Sequence, residues 1–212
     1  MNIEKQIAQD LLSIKAVFLR PDEPFIWASG IQSPIYCDNR LTLSDHVIRD
    51  RVETGLSVLV QQHFPHCEAL MGTSTAGIAH AAIVAHMLKL PMGYVRASTK
   101  DHGRANRIEG KLLPGQKVVV VEDLISTGES VIAVAEALRE AGAQVLGIVS
   151  IFTYGMHKSV QRLAEADLCC ISLTNFDTLI DVAAAQGYIQ PKDRERLLHF
   201  RNNPNDESWR KE

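Results

Sequence analysis

Glu122 and Asp123 are adjacent carboxylates set between four valines, Val118 to Val121, and a small hydroxyl-rich turn, Ser126-Thr127-Gly128-Glu129-Ser130. Carboxylates in that position suit the vicinal hydroxyls of a sugar, or Mg2+ carried by a ligand. After the turn, apolar Val131, Ala135 and Leu138 recur at spacings of four and three, which predicts a helix. The N–H groups at a helix start attract an anion, a phosphate above all. A diol site next to a phosphate site describes a ribose phosphate. The plainer alternative is an ordinary strand–turn–helix with two solvated acids.

Two further stretches carry polar chemistry. Gly72-Thr73-Ser74-Thr75-Ala76-Gly77 precedes a predicted helix from Ile78 to about Leu88. Its glycines have P-loop spacing, but Ile78-Ala79 stand where such a loop needs Lys and then Ser or Thr, so it is not an NTPase loop. It reads either as an anion-binding turn or as tight strand–helix packing. Arg96 to Gly110 is almost free of apolar residues and carries Arg96, Lys100, His102, Arg104 and Arg107. A polar loop of that length within a compact domain is usually functional, and a basic flap that closes over a diphosphate would supply charge and exclude water; the bland reading is a solvated basic loop. A sugar with a phosphate at one end and a diphosphate at the other, 5-phosphoribosyl 1-diphosphate (PRPP), would use all three stretches.

The elements that must position these residues follow from pattern. The valine run, Glu68 to Met71, Met92 to Val95, Gln144 to Phe152 and Leu168 to Leu173 read as strands. Helical patterns alternate with them, so the fold class is α/β with a mainly parallel central sheet flanked by helices. The carboxyl ends of such strands open onto the ligand crevice. Residues 2–14 form an amphipathic helix capped by Asn2, and Ser44-Asp45 starts another running to about Phe64. Between them, Phe25–Ala28 and Ile35–Cys37 predict a hairpin outside the main sheet, whose Trp27 and Tyr36 either stack on a flat ring or simply pack. Thr174 to Asp177 fits a capping box, and Pro191 the first turn of a last helix through Leu198. The polar tail from Asn202 is expected to fray, with no role for Trp209.

Composition narrows the class. The chain has 212 residues, is 46% hydrophobic and carries a net charge of −3, which suits one domain with a proper core and gives no global reason to expect nucleic-acid binding. The start, MNIEKQIAQD, lacks the features of a signal peptide, and no apolar run is long enough for a bilayer. Cys37, Cys67, Cys169 and Cys170 have no metal-site spacing and are expected as reduced thiols in a cytoplasmic protein, with Cys169-Cys170 in the core.

Val118 to Ser130 resembles the PRPP-binding motif of the type I phosphoribosyltransferases: a hydrophobic strand, two acids, two apolar residues and a hydroxyl-Thr-Gly turn. Arg96…Lys100-Asp101-His102-Gly103 resembles the catalytic loop of the orotate phosphoribosyltransferases, Ser29-Gly30…Ser33-Pro34…Tyr36 their base-side hood, and Gly72 to Gly77 their diphosphate loop. The resemblance covers nearly the whole chain and implies one domain over residues 1–212, with a hood at about 16–40, a core at about 44–200 and a tail at 201–212.

It also implies roles. Glu122 and Asp123 hold the ribose hydroxyls of Mg2+-PRPP, and Leu124, Ile125 and the backbone of Ser126, Thr127, Gly128, Glu129 and Ser130 complete the sugar-phosphate cradle. Thr73 and Ser74 lie along the diphosphate, and Ser126 and Tyr36 meet orotate. Arg96, Lys100 and His102 act on the leaving group, from the neighbouring subunit of a homodimer; His102 is either an acid or a hydrogen-bond donor. Mg2+ is held through PRPP, with Asp123 as the one candidate for direct contact. The implied reaction joins orotate N1 to ribose C1 and releases diphosphate, in pyrimidine biosynthesis, with no nucleic-acid or membrane partner.

Some positions depart from the family pattern. Glu129 stands where relatives usually have Gly, so its charge must point away from the phosphate. Ala97 and Ala28 replace a loop Lys and a hood Lys, with Arg104 and Arg40 as candidate substitutes. No Arg lies near Phe152-Thr153-Tyr154 to meet the orotate carboxylate. The rival readings are a phosphoribosyltransferase for a purine or another base, and a non-catalytic PRPP-binding regulator. A dinucleotide-binding dehydrogenase is weaker, since no GxGxxG follows a strand.

Overall fold

The computed structural model describes residues 2–27, 30–97 and 107–210. Its centre is a six-stranded sheet of β5 (Ala69–Thr73), β6 (Met92–Val95), β7 (Ile108–Glu109), β8 (Lys117–Ile125), β9 (Gln144–Thr153) and β10 (Cys170–Asn175). The order is β10-β9-β8-β5-β6-β7, parallel throughout except for the edge strand β7, which runs antiparallel to β6. Here the structure refines the sequence reading. The basic loop does not simply replace a crossover helix; it returns as β7 before the chain crosses to β8.

β8 is the hub because its valines alternate between two buried faces. Val119 and Val121 pack with α1 (Ile3–Ser13), α2 (His46–His63), α3 (Ala76–Leu88), α6 (Phe176–Ala185) and α7 (Asp193–Asn202). Val118 and Val120 pack with α4 (Glu129–Glu140) and α5 (His157–Glu165). β8 runs through Glu122 and Asp123 to Ile125, so the acid pair lies within the strand. The caps expected at Asn2 and Asp45 form, each side chain accepting backbone N–H bonds.

Four expectations need correction. Ile35–Cys37 (β4) pairs with Val17–Leu19 (β1), while Phe25–Ile26 (β2) pairs with Gln32–Ser33 (β3), so the hood is two short ribbons and not one hairpin. The cap of α6 is Asn175, the last residue of β10, whose side chain accepts from Thr178 N–H, because the helix starts at Phe176. Pro191 precedes α7 instead of opening it. Cys169 is exposed and Cys170 half-buried, and all four cysteines are free thiols.

The tail also differs. Residues Glu207–Arg210 form a 3-10 turn in which Trp209 is wholly buried. Its ring meets Phe200 edge-on at 5.6 Å. Tertiary burial of one large ring overrides the polar composition around it. Among the described residues no helix is long and apolar enough to cross a membrane.

Candidate functional site

The carboxyl end of β8 brings together the acids and the phosphate turn. Glu122 is buried and its Oε1 accepts from the Asp123 N–H at 3.0 Å. Burial first, then the neighbouring Asp123 carboxylate, pushes the Glu122 pKa up to about 8; the Thr73 hydroxyl opposes the shift. Asp123 is only half-buried, so its carboxylate is the one a ligand reaches more easily. Its carbonyl accepts from Asn39 Nδ2 at 2.7 Å.

The turn after β8 is shaped for a backbone site. Gly128 has φ +79° and caps α4 with no side-chain bond to the helix start, while Thr127, Glu129 and Ser130 are exposed. A positive φ here suits Gly alone among common residues. The Glu129 carboxylate pairs with Arg162 on α5. The charge that stands in a phosphate turn is thus drawn aside by a partner. The Ile125 side chain is buried in the core and its carbonyl accepts from Tyr154 N–H, so it supports the turn from beneath.

The second candidate anion turn lies one strand away, since β5 pairs with β8. Both readings of its glycines are realised in part. A Cβ on Gly77 would lie 2.3 Å from the Val121 carbonyl oxygen and 2.5 Å from Thr73 Oγ1, and one on Gly72 would lie 2.9 Å from the Gly77 oxygen. Close packing of α3 on the sheet therefore requires them. Thr73 itself is buried and donates to the Val121 carbonyl at 3.3 Å, whereas Ser74 is half-buried and Thr75 exposed at the strand end. The Ser74–Thr75 peptide is cis.

The hood covers the other side. Ile26, Trp27, Tyr36, Cys37, Leu124 and Ser126, with Tyr154, line a cavity of about 290 Å³. This places Tyr36 and Ser126 on one aromatic recess beside the acids, with Trp27 and Tyr154 rings 5.6 Å apart. Burial, then the Asp123 and Asp38 charges, hold the Cys37 thiol well above its usual pKa, so it is a neutral wall and not a nucleophile. Arg40 makes a bidentate contact with Asp38 at 2.6 and 2.9 Å.

Arg96 stands at the root of the basic loop. It reaches Glu109 across β6–β7 at 3.4 Å, and Arg107 Nε donates to its carbonyl at 3.1 Å. Lys100, His102 and Arg104 lie outside the described residues, as do Ala28 and Ser29 of the hood.

Three features escaped the sequence reading. Asn39 carries no pattern beyond being a polar residue at the end of the hood, although it is wholly buried beneath the acids. Tyr154 lines the recess without having been singled out for it; its place directly after β9 is the signal that could have found it, since ligands bind at strand carboxyl ends. Asn202 to Asn205 form one wall of a second cavity of about 620 Å³, which Trp27, Ser126 and Thr127 share with His157 and Lys158. A polar tail carries no pattern that announces this.

Among the described residues no group of three His, Cys, Asp or Glu could hold a metal ion. The half-buried Asp123 carboxylate is a hard oxygen donor that fits a Mg2+ ion whose remaining ligands come from substrate oxygens and water, whereas the buried Glu122, held largely protonated, does not offer a second.

A family model of the phosphoribosyl transferase domain matches residues 46–184. An orotate phosphoribosyltransferase of Bacillus cytotoxicus is 54% identical over 207 residues, covering 98% of this chain and 99% of the relative. One from Listeria monocytogenes is 53% identical over 211 residues, covering 100% of both. The crystal structure of the orotate phosphoribosyltransferase from Aeropyrum pernix superposes with a TM-score of 0.75 at 30% identity, over 86% of this chain and 99% of the other.

Proposed function

The chain belongs to the orotate phosphoribosyltransferase family, and from that premise we propose that it transfers the 5-phosphoribosyl group of PRPP to N1 of orotate, giving orotidine 5-phosphate and diphosphate in pyrimidine biosynthesis. The observation that carries this reading is the position of Ser126. It directly follows the acid-bearing strand, begins the turn that leads into α4 and lines the aromatic recess of the hood, so sugar and base sites meet at one residue.

The residues divide the work by location. Glu122 and Asp123 accept hydrogen bonds from the ribose hydroxyls. The backbone of Ser126 to Ser130 holds the 5-phosphate, aided by the α4 N-terminus. Ser74 lies along the diphosphate, while Thr73, buried and bonded to the Val121 carbonyl, supports that strand end from beneath instead of meeting the ligand. The recess of Trp27, Tyr36, Leu124 and Tyr154 holds the flat base and keeps water from C1. As the C1–O bond breaks, charge grows on the departing diphosphate, and Arg96, Lys100 and His102 of the loop stabilise it, reaching across a homodimer. Mg2+ bound with PRPP, with Asp123 as the residue that would contact it, would add Lewis-acid stabilisation of the same charge. The setting is a cytoplasmic one, in keeping with four free cysteines.

The test is an absorbance assay of orotate consumption with PRPP and Mg2+. Loss of orotate with release of diphosphate is expected. Turnover of a purine base with no loss of orotate would sink the assignment.

A further inference from the structure

We infer that the C-terminal turn, through Trp209, is a positioning element for the base side of the active site, an inference that rests on assigning the aromatic recess to orotate. Four rings lead inward from the tail. Trp209 meets Phe200 at 5.6 Å and 72°. Phe200 meets Trp27 at 5.8 Å and 82°. Trp27 meets Tyr154 at 5.6 Å. Trp27 and Tyr154 are themselves walls of the recess. Edge-to-face contacts fix ring orientation as well as distance, so the plane of Trp27 is set by Phe200 and, behind it, by Trp209.

The turn is fastened to the hood by a separate set of bonds. Arg196 is buried on α7 and acts as the clasp. Its Nε donates to the Trp209 carbonyl at 3.2 Å, and its Nη2 donates to the Pro21 carbonyl at 3.0 Å. Nη1 reaches Asp22 at 2.8 Å and Asp193 at 3.0 Å. One guanidinium therefore ties the tail to the segment that leads into the hood strands carrying Trp27. Within the hood, Trp27 Nε1 donates to the Ile35 carbonyl at 3.2 Å and its backbone N–H to the Ile31 carbonyl at 2.9 Å. The hood ribbons are only two or three residues long and cannot hold Trp27 firmly by their own ladders.

The sugar side is built differently. Glu122 and Asp123 are held by β8 of the central sheet and the turn after it by α4, and this turn meets the ring chain at its first residues, Ser126 and Thr127, which share cavities with Trp27. Loosening the tail is thus expected to affect the base more than PRPP. Misplacing a supporting group from a distance typically costs about 10- to 100-fold.

Trp209→Ala and Trp209→Leu test this, the second keeping an apolar plug without the ring edge. The readouts are the KM values for orotate and for PRPP, with thermal melting as the control for folding. A rise in the orotate KM of about 10-fold is expected in both variants, with the PRPP KM changed less than about 2-fold, and Trp209→Phe is expected to recover most of the loss. If the alanine variant does not fold, the leucine variant decides alone. A wild-type orotate KM in Trp209→Leu, or an equal rise in both KM values, overturns the inference. A wild-type protein that consumes no orotate defeats the functional assignment instead, and this inference with it.

Discussion

Asn39 Nδ2 donates to the Asp123 carbonyl at 2.7 Å, joining the base of the hood to the strand that carries the acids across 84 residues of chain. Asn39 is wholly buried, its Oδ1 accepts from the Cys37 thiol at 3.1 Å, and its carbonyl accepts from Thr42 Oγ1 at 2.6 Å. The amide is therefore a bracket between the two halves of the site. Asn39→Ala leaves a buried carbonyl without its donor, which costs about 1–3 kcal/mol. It also frees Asp123 to shift, so kcat/KM for PRPP is expected to fall on the order of 10-fold. Steady-state kinetics beside a denaturant titration checks both, and an unchanged kcat/KM would show that Asn39 serves stability alone.

Glu122 gives the apoprotein a pH-dependent weakness. Its carboxyl titrates near 8 in the folded chain against an ordinary value of 4.5, chiefly because burial disfavours the charge. The folded state thus binds this proton more tightly than the unfolded state. The contribution is fully present below the ordinary value and is lost as pH rises through the folded one. Glu122→Gln removes the burden while keeping the shape. Its melting temperature is expected to exceed that of the wild type little near pH 5 and by about 5 °C or more near pH 9. A gain that is constant with pH would mean that Glu122 does not titrate in this window.

The pair between Glu129 and Arg162 explains how an acid sits in a phosphate turn. Glu129 is the more exposed partner, so the pair adds little stability, under about 1 kcal/mol. Its effect is to direct charge. Arg162→Ala releases the carboxylate at the α4 N-terminus, and the KM for PRPP is expected to rise about 3- to 10-fold, less at high salt. Adding Glu129→Gln to that variant should restore it. If the double variant stays impaired, Arg162 contacts the phosphate itself.

Much of this site was legible in the residues because its parts are local. Four valines demand a doubly buried strand, and the acids, the small turn and the helix start follow it in the order the residues announce. What was not legible is long-range. Val17–Leu19 is too short to show a strand period, so its pairing with Ile35–Cys37 was hidden and the hood was read as one hairpin. A side-chain bond such as that of Asn39 to a distant carbonyl has no sequence signature. Trp209 sits in a polar tail, and only the pocket made by Phe200 and Arg196 explains its burial. The glycines at 72 and 77 looked like a ligand turn or packing, and the structure shows the packing at atomic contact.

The proposed reach of the basic loop across a homodimer can be tested by complementation. If the loop of one subunit completes the site of the other, Lys100→Ala and Asp123→Asn damage different halves of each site. Each variant alone is expected to lose about 10²- to 10³-fold in kcat, since each removes one preorganised contact to developing charge. Mixing the two after reversible dissociation creates dimers in which one site carries both lesions and the other carries neither. Random exchange makes half of the dimers mixed, so activity should recover to about a quarter of the wild-type value. A loop acting within its own subunit would leave every site damaged and give no recovery, and wild-type turnover by Lys100→Ala alone would remove the loop from the chemistry altogether.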